Sequence, residues 1–334
     1  MPRLRPSVLY TMPTWKGSSL PSREAVAKSL LCPFPEVTNP NVVSAHLHAL
    51  DWLDRFTVHS EPSWVPRAKR ARMTWMVAGF YPTCDLSRLC IATDYLSWAF
   101  GLDDVGDETA IGERPERLLE LFGRFEDVFS GRSAAGNPQA EALDDIVTRL
   151  AKVATPDKLE AFAAGNRAYF GAMLWEANNR HGRMVPDEGT YLMLRPAAGA
   201  VPPFFAMVEP LEGIELTDEL RQHPGITNLV RLAGGIVCWT NDVLSYEKER
   251  AKGDVHNLAY IYEHHRGLSP ARALAEAVGF NNASVADFIE EQEKLPSFGA
   301  AQDVEVKRYV ATLRSMIRVT LDWTLGSPRY SETD

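Results

Sequence analysis

Proline and glycine cut this 334-residue chain into long stretches whose apolar residues recur at i, i+3, i+4 and i+7, the period of an amphipathic helix. Alternation with period two, bounded by hairpin turns, is scarce. The period selects an all-α fold. Regular structure is expected to open near Asn39-Pro40, with proline at an early helical position, and to run through VVSAHLHALDWLDRF. Further helices are expected at about 67–80, 86–105, 115–130, 138–153, 157–182 and 187–198. After the breaker GAVPP at 199–203 the pattern resumes at about 225–252, 256–266, 270–278, 284–293 and 299–325.

Residues 1–35 hold Pro2, Pro6, Pro13, Pro21, Pro33 and Pro35, which suits an extended arm or lid better than a bundle helix. Residues 36–334 show no repeat, charge block or linker, and one helical domain is expected there. The start MPRLRPSVLYTMPTWKGSS has no long apolar core, so no signal peptide is read. No apolar run approaches the ~18–20 residues of a membrane helix, and a cytoplasmic protein is the default. With 35 basic against 44 acidic residues the formal charge is -9, which argues against nucleic acid or an anionic membrane as partner. Cys32, Cys84, Cys90 and Cys238 form no CxxC pair, so reduced and mostly buried thiols are expected.

Two acidic segments carry the chemistry. In FGLDDVGDE, residues 100–108, four carboxylates fall within six positions at the end of an apolar helix. Asp103 and Asp107 are four apart and leave one helix face, with Asp104 between them. Magnesium prefers oxygen and often takes one or two carboxylates, completing its shell with water and phosphate oxygens. The five-residue pattern alone is not specific, since a solvated helix end reads the same. Asp144 and Asp145, paired without a third acid, are assigned to a solvated surface. The second segment, NDVLSYEKE at 241–249, spaces Asn241, Ser245 and Glu249 at i, i+4 and i+8, again an oxygen set suited to magnesium. Lys248 lies beside it and is a candidate for direct contact with an anion. The two segments are expected to face one mouth.

D-D-x-x-D at Asp103 to Asp107 together with N-D-x-x-S-x-x-x-E at Asn241 to Glu249 resembles the class I terpene synthases, in particular the bacterial single-domain type. In that family an arginine that senses diphosphate stands 46 residues before the asparagine, a position held here by Arg195. A tryptophan followed by a terminal Arg-Tyr pair is matched by Trp323 and Arg329-Tyr330. The resemblance spans about residues 100–330. It implies an α-helical bundle around an apolar cavity, three magnesium ions on an isoprenyl diphosphate, ionisation to an allyl cation and cyclisation, a lyase reaction. A homodimer is a further expectation, because family members are often antiparallel dimers.

On this reading the carboxylates hold metal, while Arg195, Lys248, Arg329 and Tyr330 hold diphosphate through charge-assisted hydrogen bonds. A carbocation needs a dry cavity and is stabilised by aromatic faces; Phe100, Trp175 and Trp323 are the candidates, with Trp98 assigned to the core. By the family pattern Ala198 is a linker and Gly199 an effector whose carbonyl points at the substrate, with Pro196 opposing a regular helix, Gly199 permitting unusual dihedrals and Pro202-Pro203 as a stop. Ala99 and Gly101 around Phe100, and Gly106 where many relatives place an aromatic, suggest a roomy cavity. Geranylgeranyl diphosphate and a cyclic diterpene are therefore expected, with farnesyl diphosphate and a sesquiterpene as the alternative. Chain elongation and a non-catalytic isoprenyl-diphosphate-binding protein are the competing readings.

Overall fold

The computed structural model describes residues 12–15, 20–56, 58, 59, 61, 63–108, 112 and 114–328, the side chains of 107 and 108 excepted. Their regular structure is helical, with no strand among the described residues. In chain order the helices are α1 Arg23–Ser29, α2 Val42–Arg55, α3 Trp64–Arg70, α4 Met73–Phe80, α5 Leu86–Glu108, α6 Pro115–Phe129, α7 Pro138–Leu150 and α8 Pro156–Gly182. There follow α9 Glu188–Ala198, α10 Val201–Ala206, α11 Val208–Glu212, α12 Asp218–Arg221, α13 Pro224–Lys252, α14 Leu258–Arg266, α15 Pro270–Glu293 and α16 Ala300–Gly326.

The chain divides into two compact units. One holds Val37–Met184 with Ala200–Ile214. Its core is aromatic: the Trp98 and Phe125 rings lie 5.0 Å apart, Phe122 stacks on Phe170 at 4.6 Å, and Tyr95 meets Phe162 and Phe204 at 5.0 Å each. Such pairs contribute about 0.5–1.5 kcal/mol each beyond the area they bury. Trp98 is in this core, its Nε1 donating to the Gln139 carbonyl at 2.9 Å. α10 lies against α8 so closely that a β-carbon on Gly165 would stand 2.7 Å from the Pro203 nitrogen; only glycine fits there. Asp144 is exposed as expected, whereas Asp145 is half-buried and engaged: its Oδ2 accepts from Trp52 Nε1 at 2.9 Å and from Arg149 at 2.6 Å. Residue spacing cannot distinguish an exposed carboxylate from one that meets an indole from another helix.

The other unit holds Met1–Glu36, Val185–Gly199 and Glu215–Asp334. Here α13 packs between α15 and α16, and Trp239 meets Phe280 edge to face at 4.7 Å. The expectation of an extended arm through residue 35 is corrected, because REAVAKS forms α1. Pro21 and Pro33 flank this segment instead of interrupting it. Ser22 caps the helix by accepting from the Ala25 N–H at 3.3 Å, and Val26 is buried. Asn282 then clamps the segment's end, donating to the Ser29 carbonyl at 2.8 Å and accepting from the Leu31 N–H at 2.7 Å. The separate helices expected at 270–278 and 284–293 are one helix, α15. Pro202 and Pro203, read as a stop, occupy the first turn of α10, where a missing N–H costs nothing.

Candidate active site

The acidic end of α5 is positioned from both ends of the helix. At its start Asp85 Oδ1 accepts from the Arg88 N–H at 3.0 Å, a capping bond. In its middle the buried Asp94 takes His48 Nε2 from α2 and Arg149 Nη2 from α7, both at 2.8 Å on Oδ2. A charge so enclosed is stable only with such partners; burial pushes its carboxyl upward, and the hydrogen bond from His48 and the charge of Arg149 oppose the shift. Two and a half turns on, Asp103 is half-buried. Asp104 differs from it. It is 1% exposed, and its Oδ2 accepts from Trp64 Nε1 at 2.6 Å with Arg67 Nη2 at 3.5 Å. These bonds make Asp104 an anchor of the helix end through its Oδ2. The Asp107 and Glu108 side chains lie outside the described residues.

Around these acids the expected open space is filled. A β-carbon at Gly101 would meet the Val58 carbonyl oxygen at 2.9 Å, and one at Gly106 would meet Met173 Cε at 3.0 Å. Ala99 is buried, with its carbonyl accepting from Tyr169 Oη at 3.3 Å. Both glycines therefore admit a neighbour, and the volume argument for a longer substrate loses its basis. Phe100 and Trp175 are half-buried.

The second acidic segment lies on α13, which opens with Pro224 and runs to Gly253 in the left-handed region at φ 79°. Asn241, Ser245 and Glu249 share one face, and Ser245 Oγ donates to the Asn241 carbonyl at 2.8 Å. Asp242 is fully buried. Its Oδ1 accepts from Arg195 at 2.9 Å from Nε and 2.8 Å from Nη2, and its Oδ2 accepts from Tyr191 Oη at 2.6 Å and the Leu258 N–H at 3.0 Å. Arg195 Nη2 also donates to Asn241 Oδ1 at 3.1 Å. The spacing of 46 thus corresponds to a direct contact, and Arg195 Nη1 donates to no described residue. Burial opposes the Arg195 charge, but Asp242 outweighs it and keeps the guanidinium protonated. Glu249 Oε2 accepts from Asn257 Nδ2 at 2.8 Å. Burial, then Asp254 and Asp242, push its carboxyl up to about 8. Lys248 is half-buried beside it.

This donor set fits a divalent cation. All its donors are oxygens, as a hard cation requires, and Glu249 sits among negative charges that such an ion would offset. Among the described residues no three His, Cys, Asp or Glu side chains converge to hold a metal. The motif substitutes an amide and a hydroxyl for two of them.

Gly199 has ordinary dihedrals, φ -80° and ψ 15°, which corrects the reading of unusual backbone there. Its missing β-carbon matters for space, since one would stand 2.8 Å from Cys238 Sγ and 3.1 Å from Arg195 Nη1. The left-handed residue is Ala200, at φ 54°. Pro196 does not end α9, which continues to Ala198, a buried residue. Trp323 is buried in α16. Arg329 and Tyr330 lie outside the described residues.

Residues 94–287, more than half of the chain, match the family model described as "Terpene synthase family 2, C-terminal metal binding". The chain belongs to the terpene synthases. It is similar to the (+)-T-muurolol synthase of Roseiflexus castenholzii (strain DSM 13941 / HLO8), described as (2E,6E)-farnesyl diphosphate cyclizing. The two are 33% identical over 306 residues, covering 91% of this chain and 94% of that protein. The germacrene A synthase of Nostoc punctiforme (strain ATCC 29133 / PCC 73102) is 30% identical over 92% of this chain and 96% of its own length. Among solved structures, germacradien-4-ol synthase from Streptomyces citricolor superposes with a TM-score of 0.80 at 26% identity, over 92% of this chain and all of that one.

The chain is therefore a class I terpene synthase with the all-α fold of that class, an enzyme acting on an isoprenyl diphosphate with a divalent metal. Among the described residues no single helix is long and apolar enough to cross a membrane. Trp64, Tyr191 and Asn257, which hold Asp104, Asp242 and Glu249, are site residues of the terpene synthase that the two motifs do not mark. Only Asn257 carried a local signal, an asparagine directly before an apolar helical run.

Proposed function

We propose that this terpene synthase ionises and cyclises farnesyl diphosphate to a sesquiterpene, with magnesium as its metal. The observation that carries this reading is the similarity to the enzyme described as cyclising (2E,6E)-farnesyl diphosphate. The filled space at Gly101 and Gly106 supports it. Both grounds favour farnesyl diphosphate over the geranylgeranyl diphosphate and diterpene expected from the sequence.

Asp103, Asp104 and Asp107 on α5, and Asn241, Ser245 and Glu249 on α13, would hold the magnesium ions, three by family pattern. Bound magnesium supplies Lewis-acid neutralisation of the leaving diphosphate. Arg195 presents Nη1 to phosphate oxygens while Asp242 fixes its other nitrogens, and Lys248, Arg329 and Tyr330 add further donors. The allylic C–O bond breaks with its electron pair going to diphosphate. A double bond of the same chain then attacks the cation, and proton loss or water capture ends the sequence. Phe100, Trp175 and Trp323 offer aromatic faces worth about 0.5–2 kcal/mol each to a cation. The Gly199 carbonyl and the Ala198 link are assigned the coupling between diphosphate sensing and ionisation.

Separate incubations with geranyl, farnesyl, geranylgeranyl and geranylfarnesyl diphosphate, with and without magnesium, followed by gas chromatography-mass spectrometry, test the reading. A magnesium-dependent cyclic fifteen-carbon product from farnesyl diphosphate is expected. Turnover of geranylgeranyl diphosphate alone would restore the diterpene assignment.

A further inference from the structure

Asn257 is fully buried at the start of α14, and every hydrogen-bonding position of its amide is taken. Oδ1 accepts from the Ala259 N–H at 2.9 Å and the Tyr260 N–H at 3.4 Å, capping α14. Nδ2 donates in the other direction, to the Asp242 carbonyl at 2.7 Å and to Glu249 Oε2 at 2.8 Å. One side chain therefore ties the first turn of α14 to two points about two turns apart on α13. Asp242 repeats the tie, accepting the Leu258 N–H on its Oδ2 at 3.0 Å. Glu249 Oε1 accepts from none of the described residues.

We infer that Asn257 is a positioning residue for the metal ligand Glu249: it holds Oε2 from behind, sets the rotamer, and directs Oε1 to the cation. The inference rests on the assignment of Glu249 to the metal. A long flexible carboxylate bonded on one oxygen is oriented before the ion arrives, and partners of metal ligands typically change affinity by about 10–100-fold when removed. The cap and the clamp are separable. Serine and aspartate both serve as N-caps about as well as asparagine, but neither can donate an amide N–H to Glu249. Aspartate would instead set an oxygen against two acceptors.

The test is a titration of the full chain with magnesium chloride in the presence of inorganic diphosphate, read as the rise in melting temperature, for wild type, Asn257→Ser and Asn257→Asp. Metal-free melting temperatures report the cap. We expect the serine variant to need about tenfold or more magnesium for half its maximal shift, and the aspartate variant at least as much. A serine variant with a lowered metal-free melting temperature but the wild-type magnesium midpoint would reduce Asn257 to a cap and overturn the inference. A wild-type chain with no magnesium response would overturn the metal assignment and the inference together, which separates the two failures. Should neither variant fold, hydrogen exchange on wild type decides. Magnesium with diphosphate must slow the Ala259 and Tyr260 amides, and unchanged exchange there overturns the inference.

Discussion

Asp104 and Asp242 are the second residues of their motifs, and the structure gives them parallel partners with unequal shelter. Each accepts an aromatic donor at 2.6 Å, Trp64 Nε1 in one case and Tyr191 Oη in the other, and each pairs with an arginine. The Arg67 side chain beside Asp104 keeps 31% of its surface in solvent, whereas Arg195 beside Asp242 keeps 12%. Asp242 also takes a backbone N–H from the start of α14. One motif is anchored by a short helix with a half-solvated cation, the other by a closed network of two more segments. In both places the second aspartate of the motif is a fixture, and the depth of its partner decides what its loss costs.

The largest effect is expected from Asp242→Ala, which leaves Arg195 charged and enclosed, at about 3–5 kcal/mol in urea unfolding. Asp104→Ala should cost about 1–3 kcal/mol, since Arg67 can turn to water and chiefly the indole loses its partner. Equal losses for the two would break the comparison. Next come the assigned ligands: Asp103→Ala and Asn241→Ala should each lower kcat by about 100-fold or more under saturating magnesium, as loss of a charge-stabilising group does, with circular dichroism unchanged. Trp64→Phe, which removes Nε1 together with part of the buried indole, is expected to cost at least about 1.5 kcal/mol from the lost hydrogen bond to a charged group, and a chemical denaturation curve measures it. Smallest is Gly199→Ala. Its β-carbon must displace Cys238 Sγ and Arg195 Nη1, both side-chain ends that can give, at about 1 kcal/mol, the low end of overpacking, and kcat should fall more than KM rises if Arg195 is shifted.

The sequence made the long helices legible because their apolar period is local. α5 through α8, α13 and α16 stand within a few residues of expectation, and Arg195 meets Asn241 at the family's spacing. Short helices escaped. α1 and α10 are flanked or opened by prolines that read as breakers, and α11 and α12 are too short to show a period. The site failed where a partner came from far along the chain. Trp64 lies 40 residues before Asp104 and Tyr191 lies 51 before Asp242, and no spacing rule joins them. The volume argument failed for the same reason: Gly106 is empty of side chain, but Met173, on another helix, occupies the space.

The prolines that open α10 have a consequence for the break after Gly199. A helix continued from α9 through this point would need N–H groups at 202 and 203, and proline supplies neither. Each ring would also collide with the carbonyl four residues back, at Ala198 and Gly199, with a penalty of about 3 kcal/mol per proline. Ala200 adds its own left-handed backbone, a conformation that no α-helix passes through. The interruption is therefore stereochemical: joining α9 and α10 into one rod would have to overcome both proline penalties and the left-handed turn at Ala200.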